Sequence, residues 1–229
     1  MPKGRQRYSL RKTLKPQARH WLFIVILFMV AVISAKLVLS GSGGSVSLEI
    51  KALERVYERY FETVNENAGL KKIDSAYFLA LIMLETSGSE HPPRFEKHIY
   101  ERIIKYRGKN GASYRSITSK KLREMDLKQI KDMASSWGPF QIMGYNAIPM
   151  KLLPEDFAGN DSIRNSMRWI MSEYGHLLRK KSYRDAFHYH NTGRKFPKNG
   201  KVMTHDPTYV DRGLRYMKYF QKKSRGVVQ

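Results

Sequence analysis

The sequence predicts an all-α fold for everything beyond its first 47 residues. Apolar residues recur at helical spacing through most segments, runs of alternating β-branched residues are absent, and there is no internal repeat. At 229 residues and 41% hydrophobic content, the chain has material for one medium domain plus extras. It contains no cysteine, which excludes structural disulfides, thiol nucleophiles and Cys-ligated metals. Lys and Arg total 42 against 20 Asp and Glu, a net charge of +22. Such a field attracts polyanions: nucleic acid, anionic lipid or an anionic cell wall.

Residues 1–20 carry seven basic side chains, from Lys3 to Arg19, and no acid. Trp21 to Leu39 comes next, with Lys36 as its only charge. Nineteen residues at about 1.5 Å each give roughly 28 Å, enough to span a bilayer core. The basic flank assigns the N-terminus to the cytoplasm. The expectation is a single-pass signal anchor over residues 21–39 in the inner (cytoplasmic) membrane, with the remaining chain in the periplasm or outside. A cleaved signal peptide ending at Ala35 is the competing reading, although Ile33 is a poor small residue for that signal.

Residues 40–47 are a Gly/Ser-rich linker, residues 48–222 the main domain and residues 223–229 a tail. Removing the seven N-terminal charges and Lys36 from +22 leaves +14 for the chain beyond the apolar segment. Within the domain, Leu53, Val56, Tyr57, Tyr60, Phe61 and Val64 recur as one helix face. Asp74 or Ser75 caps the next helix, which leads to Glu85. Glu96–Tyr106, Ser162–Leu178, Ser182–Tyr189 and Thr208–Phe220 also read as helices. Lys105 to Lys121, polar and Gly-containing, reads as a long surface excursion.

Glu85 is the most informative residue. It closes the run Ala76 to Leu84, apolar apart from the phenol of Tyr77. In a helix, Phe78, Leu81 and Ile82 share its face, so the carboxyl belongs to the buried stripe. Burial disfavours its charged form and raises its pKa, as a general acid working near neutrality requires. A buried Glu paired with Arg or Tyr is the bland alternative.

Four segments stand in order along the domain: Leu84-Glu85-Thr86-Ser87-Gly88, Ser136-Trp137-Gly138-Pro139-Phe140-Gln141-Ile142-Met143, Tyr189-His190-Asn191-Thr192-Gly193 and Pro207-Thr208-Tyr209-Val210. Together they resemble the lysozyme-like lytic transglycosylases, over roughly Ile73 to Tyr219. The first half, with Pro93-Arg94-Phe95-Glu96-Lys97-His98, is also similar to the phage-endolysin type of N-acetylmuramidase. Either resemblance implies a lysozyme-like fold, all-α or α+β, and cleavage of the β-1,4 bond between N-acetylmuramic acid and N-acetylglucosamine in peptidoglycan.

The resemblance implies Glu85 as catalytic acid, delivering a proton to the leaving oxygen. In a transglycosylase the same carboxylate then removes the 6-hydroxyl proton, closing a 1,6-anhydro ring. Thr86, Gly138, Gln141, Ile142, Asn191, Gly193 and Tyr209 are the implied substrate-side residues. Gln141 would hold the N-acetyl or nearby sugar polar groups, Asn191 would bond near the cleaved linkage and Tyr209 would orient Glu85. Plain turn formation by Gln141 and Asn191, and core packing by Tyr209, are the structural alternatives.

Glu96 is a candidate second carboxylate for a hydrolytic muramidase; a surface ion pair with Lys97 or Arg102 is its alternative. His190 stands where the family carries a groove aromatic. His188, His190 and His205 have no carboxylate at ligand spacing, so no metal or other cofactor is expected. The expected partner is peptidoglycan glycan, near an envelope, secretion or conjugation machine, with the membrane held through residues 21–39. A non-catalytic wall-binding scaffold is the alternative from another class. Nucleic-acid binding, the bland inference from +22, ranks last because the expected topology puts the domain outside the cytoplasm, so no nucleic-acid partner is expected.

Overall fold

The computed structural model describes residues 46–90, 92–115 and 117–226. The helix with the Leu53 to Val64 face runs over residues 46–69 (α1), and Leu53, Val56, Tyr60 and Val64 are buried along it. A turn at Leu70–Ile73 leads into α2, Ser75–Thr86, whose N-cap Asp74 accepts a hydrogen bond from the Ala76 amide at 3.0 Å. Every residue of α2 from Ala76 to Met83 is buried. A helix that is apolar all round has no solvent face to offer and becomes the axis on which others pack.

Around that axis lie α6 (Ser162–Arg179), α7 (Tyr183–Thr192) and α8 (Tyr209–Ser224). Helix α8 runs close to α2 and α7 because Gly213 has no Cβ; one placed there would lie 3.0 Å from Leu84 and 2.9 Å from Phe187 side-chain carbons. Glu54 on α1 ties to α8 by accepting from Tyr219 and pairing with Lys223. Helix α6 is bent at Tyr174, whose φ of −139° is non-helical.

A smaller second core gathers Ile103, Tyr114, Ile117, Leu122 and Ile130. It is enclosed by α3 (Lys97–Arg107), α4 (Ser119–Glu124) and α5 (Leu127–Met133). The short strands β2 (Ser113–Tyr114) and β3 (Ile117–Thr118) pair antiparallel within it. The excursion expected over residues 105–121 is therefore partly core: Tyr114 and Ile117 are buried. Two apolar residues on a two-residue strand pair are too short a pattern to read as alternation.

Between the two cores lies a three-stranded antiparallel sheet in the order β1 (Arg94–Phe95), β4 (Ser135–Trp137), β5 (Ile142–Met143). The prediction of a largely helical chain stands, with these few strands added. The described residues from Ile50 onward form one compact unit.

The expected placement as a single-pass protein of the cytoplasmic membrane is corrected here. No helix among the described residues is long and apolar enough to cross a membrane. The most apolar, α2, has 12 residues, about 18 Å against a bilayer core of about 30 Å. The longer α6 carries Arg164, Arg168, Glu173 and Arg179. Residues 21–39, on which the expectation rested, lie outside the described residues.

The β4–β5 connection and the end of α7 each require a glycine, for different reasons. Gly138 has φ +68°, and a Cβ on it would lie 1.7 Å from the Phe157 carbonyl oxygen. Gly193 has φ +71° with nothing within 4 Å of its Cβ position; it caps α7 with its N–H on the Tyr189 carbonyl at 2.7 Å. Gly193→Ala is thus expected to cost only the left-handed strain, about 1–2 kcal/mol, while Gly138→Ala adds a backbone clash and is expected to cost more than about 3 kcal/mol. Urea denaturation of the two variants checks the ordering; equal losses would contradict it.

Candidate active site

Glu85 sits in the last turn of α2, its side chain 15% exposed. The surrounding α2 residues are apolar and the helix C-terminus presents the negative end of its dipole, so both effects oppose a charge there. Burial pushes the Glu85 carboxyl up from an ordinary 4.5 to about 7. Opposing that rise, Tyr209 at the start of α8 donates a hydrogen bond to Glu85 Oε1 at 2.5 Å, and Arg94 and Arg212 add positive fields. Arg212 is itself anchored by an ion pair to Asp206 at 2.8 Å.

His190 Nε2 lies 3.9 Å from Glu85 Oε1 and 3.0 Å from the Phe140 carbonyl oxygen. A carbonyl can only accept, so Nε2 carries the proton and donates to it. Nδ1 is then bare and accepts from the Tyr174 hydroxyl at 2.8 Å. Tyr174 in turn accepts from the Tyr77 hydroxyl at 3.3 Å. Burial depresses the His190 pKa to about 4, which agrees with a neutral ring.

Phe140 belongs to the four-residue β4–β5 turn Gly138–Gln141, closed by the Gln141 amide on the Gly138 carbonyl at 3.1 Å. Gln141 adopts φ +47°. Its side chain is pinned twice: Nε2 donates to Gly138 at 2.9 Å, and Oε1 accepts from Ser136 Oγ at 2.8 Å. A cleft of about 220 Å³ opens beside this turn, with Gln141, His190, Asn191, Trp169 and Arg115 in its wall. On the other side of the turn a second cleft of about 330 Å³ is bordered by Gly138, Pro139 and Ser89. Glu85 lines neither cleft; His190, in the wall of the first, lies between that cleft and the carboxyl.

The sequence-derived candidates divide accordingly. Glu85 and Tyr209 meet from α2 and α8, while Gln141 from the β4–β5 turn and Asn191 from α7 share the wall of the first cleft with His190, and Asn191 is exposed there. Gly193 borders the same cleft, whereas the close approach that Gly138 permits is to the protein's own Phe157 backbone. Ile142 is a core side chain, 1% exposed. Thr86 is buried and donates its hydroxyl proton to the Ile82 carbonyl of its own helix at 3.1 Å.

Glu96 pairs with Arg94 at 2.9 Å and approaches His98 at 3.8 Å, rather than Lys97 or Arg102. Arg94 therefore stands between the two carboxyl groups electrostatically: it pairs with one and depresses the pKa of the other. His188 is fully buried. Its Nδ1 donates to the Arg194 carbonyl at 2.7 Å and its Nε2 accepts from the Met203 amide at 3.2 Å, so it staples the segment after Gly193 and has no free nitrogen for a ligand.

Tyr174, Trp169 and Arg212 escaped the sequence reading, and Tyr77 and Arg94 were met there without a role. Tyr77 left a signal as the one phenol in an apolar run. Tyr174 left none, because its partners lie 97 and 16 residues away. Trp169 places a buried indole N–H at the cleft with no hydrogen-bond partner among the described residues. Comparison with models of protein families, with curated proteins and with solved structures gave no match.

The raised pKa of Glu85 has a stability consequence. Below the ordinary 4.5 the folded and unfolded chains both hold the proton, and Glu85 costs nothing. Between 4.5 and about 7 only the folded chain keeps it, so stability falls as pH rises. Above about 7 the full cost stands, on the order of 3 kcal/mol. Glu85→Gln is therefore expected to match the wild type near pH 4 and to exceed it by about 3 kcal/mol at pH 8. Denaturant titrations at both pH values measure the difference; a wild type more stable at pH 8 would refute the burial account.

Proposed function

We propose that the chain is a peptidoglycan lytic transglycosylase of lysozyme-like fold, with Glu85 as acid and then base. One observation carries the reading: Glu85 and Tyr209, from motifs 124 residues apart, meet at 2.5 Å, and His190, 3.9 Å from the same carboxyl oxygen, lines a cleft that holds Gln141 and Asn191. A carboxyl that keeps its proton near neutrality is what protonation of a glycosidic oxygen requires.

The reaction proceeds in two steps. Glu85 gives its proton to the glycosidic oxygen as the C1–O bond breaks, and the electron pair leaves with that oxygen. The sugar's N-acetyl carbonyl attacks C1, forming an oxazolinium ring. The Glu85 carboxylate next takes the 6-hydroxyl proton while O6 bonds to C1 and the oxazolinium ring opens, which restores the acid. Tyr209 stabilises the carboxylate between the steps by its hydrogen bond. Both arginines near Glu85 act in the same direction.

Gln141 is held by Ser136 and Gly138, so its amide is a fixed polar feature of the cleft. Trp169, half-buried in the cleft wall, offers part of its ring surface to a sugar. The surplus of basic charge suits the anionic stems and polymers of the wall.

A second reading, hydrolysis by a muramidase, has one observation in its favour. Glu96 is tied to the same Arg94 that acts on Glu85, so a second carboxylate belongs to the neighbourhood. Products decide between the two readings.

Glu85→Gln in the full chain is expected to reduce release of glycan fragments from purified peptidoglycan by at least about 10³-fold. Wild-type fragments are expected to end in 1,6-anhydro-muramic acid by mass analysis. Reducing ends would select the muramidase, and cleavage that survives Glu85→Gln would remove Glu85 from the mechanism. Binding to the wall without any turnover would indicate a scaffold.

A further inference from the structure

We propose that His190 is the positioning residue of this site: a chain of hydroxyls from Tyr77 through Tyr174 holds it as the Nε2–H tautomer beside Glu85, and its bond to Phe140 fixes the turn that carries Gln141 into the cleft wall. The inference rests on the proposed reading of Glu85 as acid and adds a role that the four motifs do not contain.

Every donor and acceptor in the chain is committed in one direction. Tyr77 donates to Tyr174 at 3.3 Å, Tyr174 donates to Nδ1 at 2.8 Å, and Nε2 donates to the Phe140 carbonyl at 3.0 Å. The terminal carbonyl can accept but cannot donate, so the direction cannot reverse without leaving a buried group unpaired. The chain crosses from α2 through α6 and α7 to the β4–β5 turn. It thereby links the helix that ends in Glu85 to the loop that ends in Gln141. The bend of α6 falls at Tyr174 itself, which places its hydroxyl between the other two groups.

The arrangement also decides which groups transfer protons. With Nδ1 filled by Tyr174 and the Nε2 proton engaged by Phe140, the imidazole has no free lone pair with which to take the Glu85 proton at 3.9 Å. The Tyr174 hydrogen bond stabilises the neutral ring. Its removal would leave a bare, buried Nδ1 that regains stabilisation by protonation, and an imidazolium would draw Glu85 into its ionised form.

The other groups facing this pair are Tyr209 and Arg212 from α8, Arg94 from β1, and Glu173 and Arg115 at the cleft. None of them is hydrogen-bonded to the imidazole in place of Tyr174 or Phe140.

Nitrogen-15 NMR of histidine-labelled full-length protein tests the lock directly. His190 is expected to show a protonated Nε2 and an unprotonated Nδ1 from pH 5 to pH 8. The opposite tautomer, or a titration in that range, would overturn the proposal, whether or not the protein cleaves glycan. Glycan cleavage absent from the wild type would overturn the proposed function and leave the tautomer result standing.

Tyr174→Phe, folded by circular dichroism, is expected to bring His190 into titration within this range and to move the alkaline limb of the pH–rate profile to lower pH. Should that variant fail to fold, Tyr77→Phe weakens the same chain from its far end and is expected to move both readouts in the same direction by less. His190→Phe is expected to lower kcat about 10- to 100-fold with KM changed much less. His190→Gln, which keeps a donor for Phe140, is expected to recover most of that loss. Unchanged profiles, or equal losses in the two His190 variants, would reduce His190 to packing.

Discussion

The desolvation of Glu85 is the constraint around which the rest of the unit is arranged. A carboxyl at the C-terminal end of a buried helix meets little water and the wrong end of a dipole. The fold neither removes this penalty nor leaves it uncompensated. Tyr209 supplies one short hydrogen bond, while Arg94 and Arg212 supply field without a direct bond to the carboxyl. Both arginines are themselves engaged, with Glu96 and with Asp206, so neither neutralises Glu85 outright. The balance leaves the carboxyl near neutrality instead of at either extreme.

That balance depends on packing far from the carboxyl. Helix α2 must stay apolar all round to keep Glu85 dry, which is why α1, α6, α7 and α8 all pack against it. Helix α8 must approach closely for Tyr209 to reach across, and Gly213 permits this. The β4–β5 turn must come in from the opposite side, and it does so only because Gly138 leaves room for the Phe157 backbone. The His190 chain then joins the turn to α2 through buried hydroxyls whose hydrogen bonds are strengthened by the low local dielectric.

Much of this was legible in the sequence, unevenly. Helices α2, α3, α6, α7 and α8 are readable from periodicity and capping residues, with Asp74 at the cap expected for it. Glu85 announced itself as a lone carboxyl in an apolar run, and the motifs around Gln141, Asn191 and Tyr209 marked segments that the fold brings together. The strands did not announce themselves, because two or three residues carry no readable alternation. The hydroxyl chain was illegible for a different reason: Tyr77 and His190 each stood out locally, but Tyr174 did not, and only tertiary proximity joins the three. Thr86, Ile142 and Gly138 show the converse. They lie within the motifs, yet their contacts are with the protein's own helix, core and backbone.

The central claim is that Glu85 keeps its proton to near-neutral pH in the folded protein. Carbon-13 NMR of the glutamate carboxyl resonances in the full-length chain, assigned by comparison with Glu85→Gln, tests it most directly. The account predicts that the Glu85 signal titrates near pH 7, well above the other glutamates. A Glu85 midpoint in the ordinary carboxylate range, near pH 4–5, would contradict it.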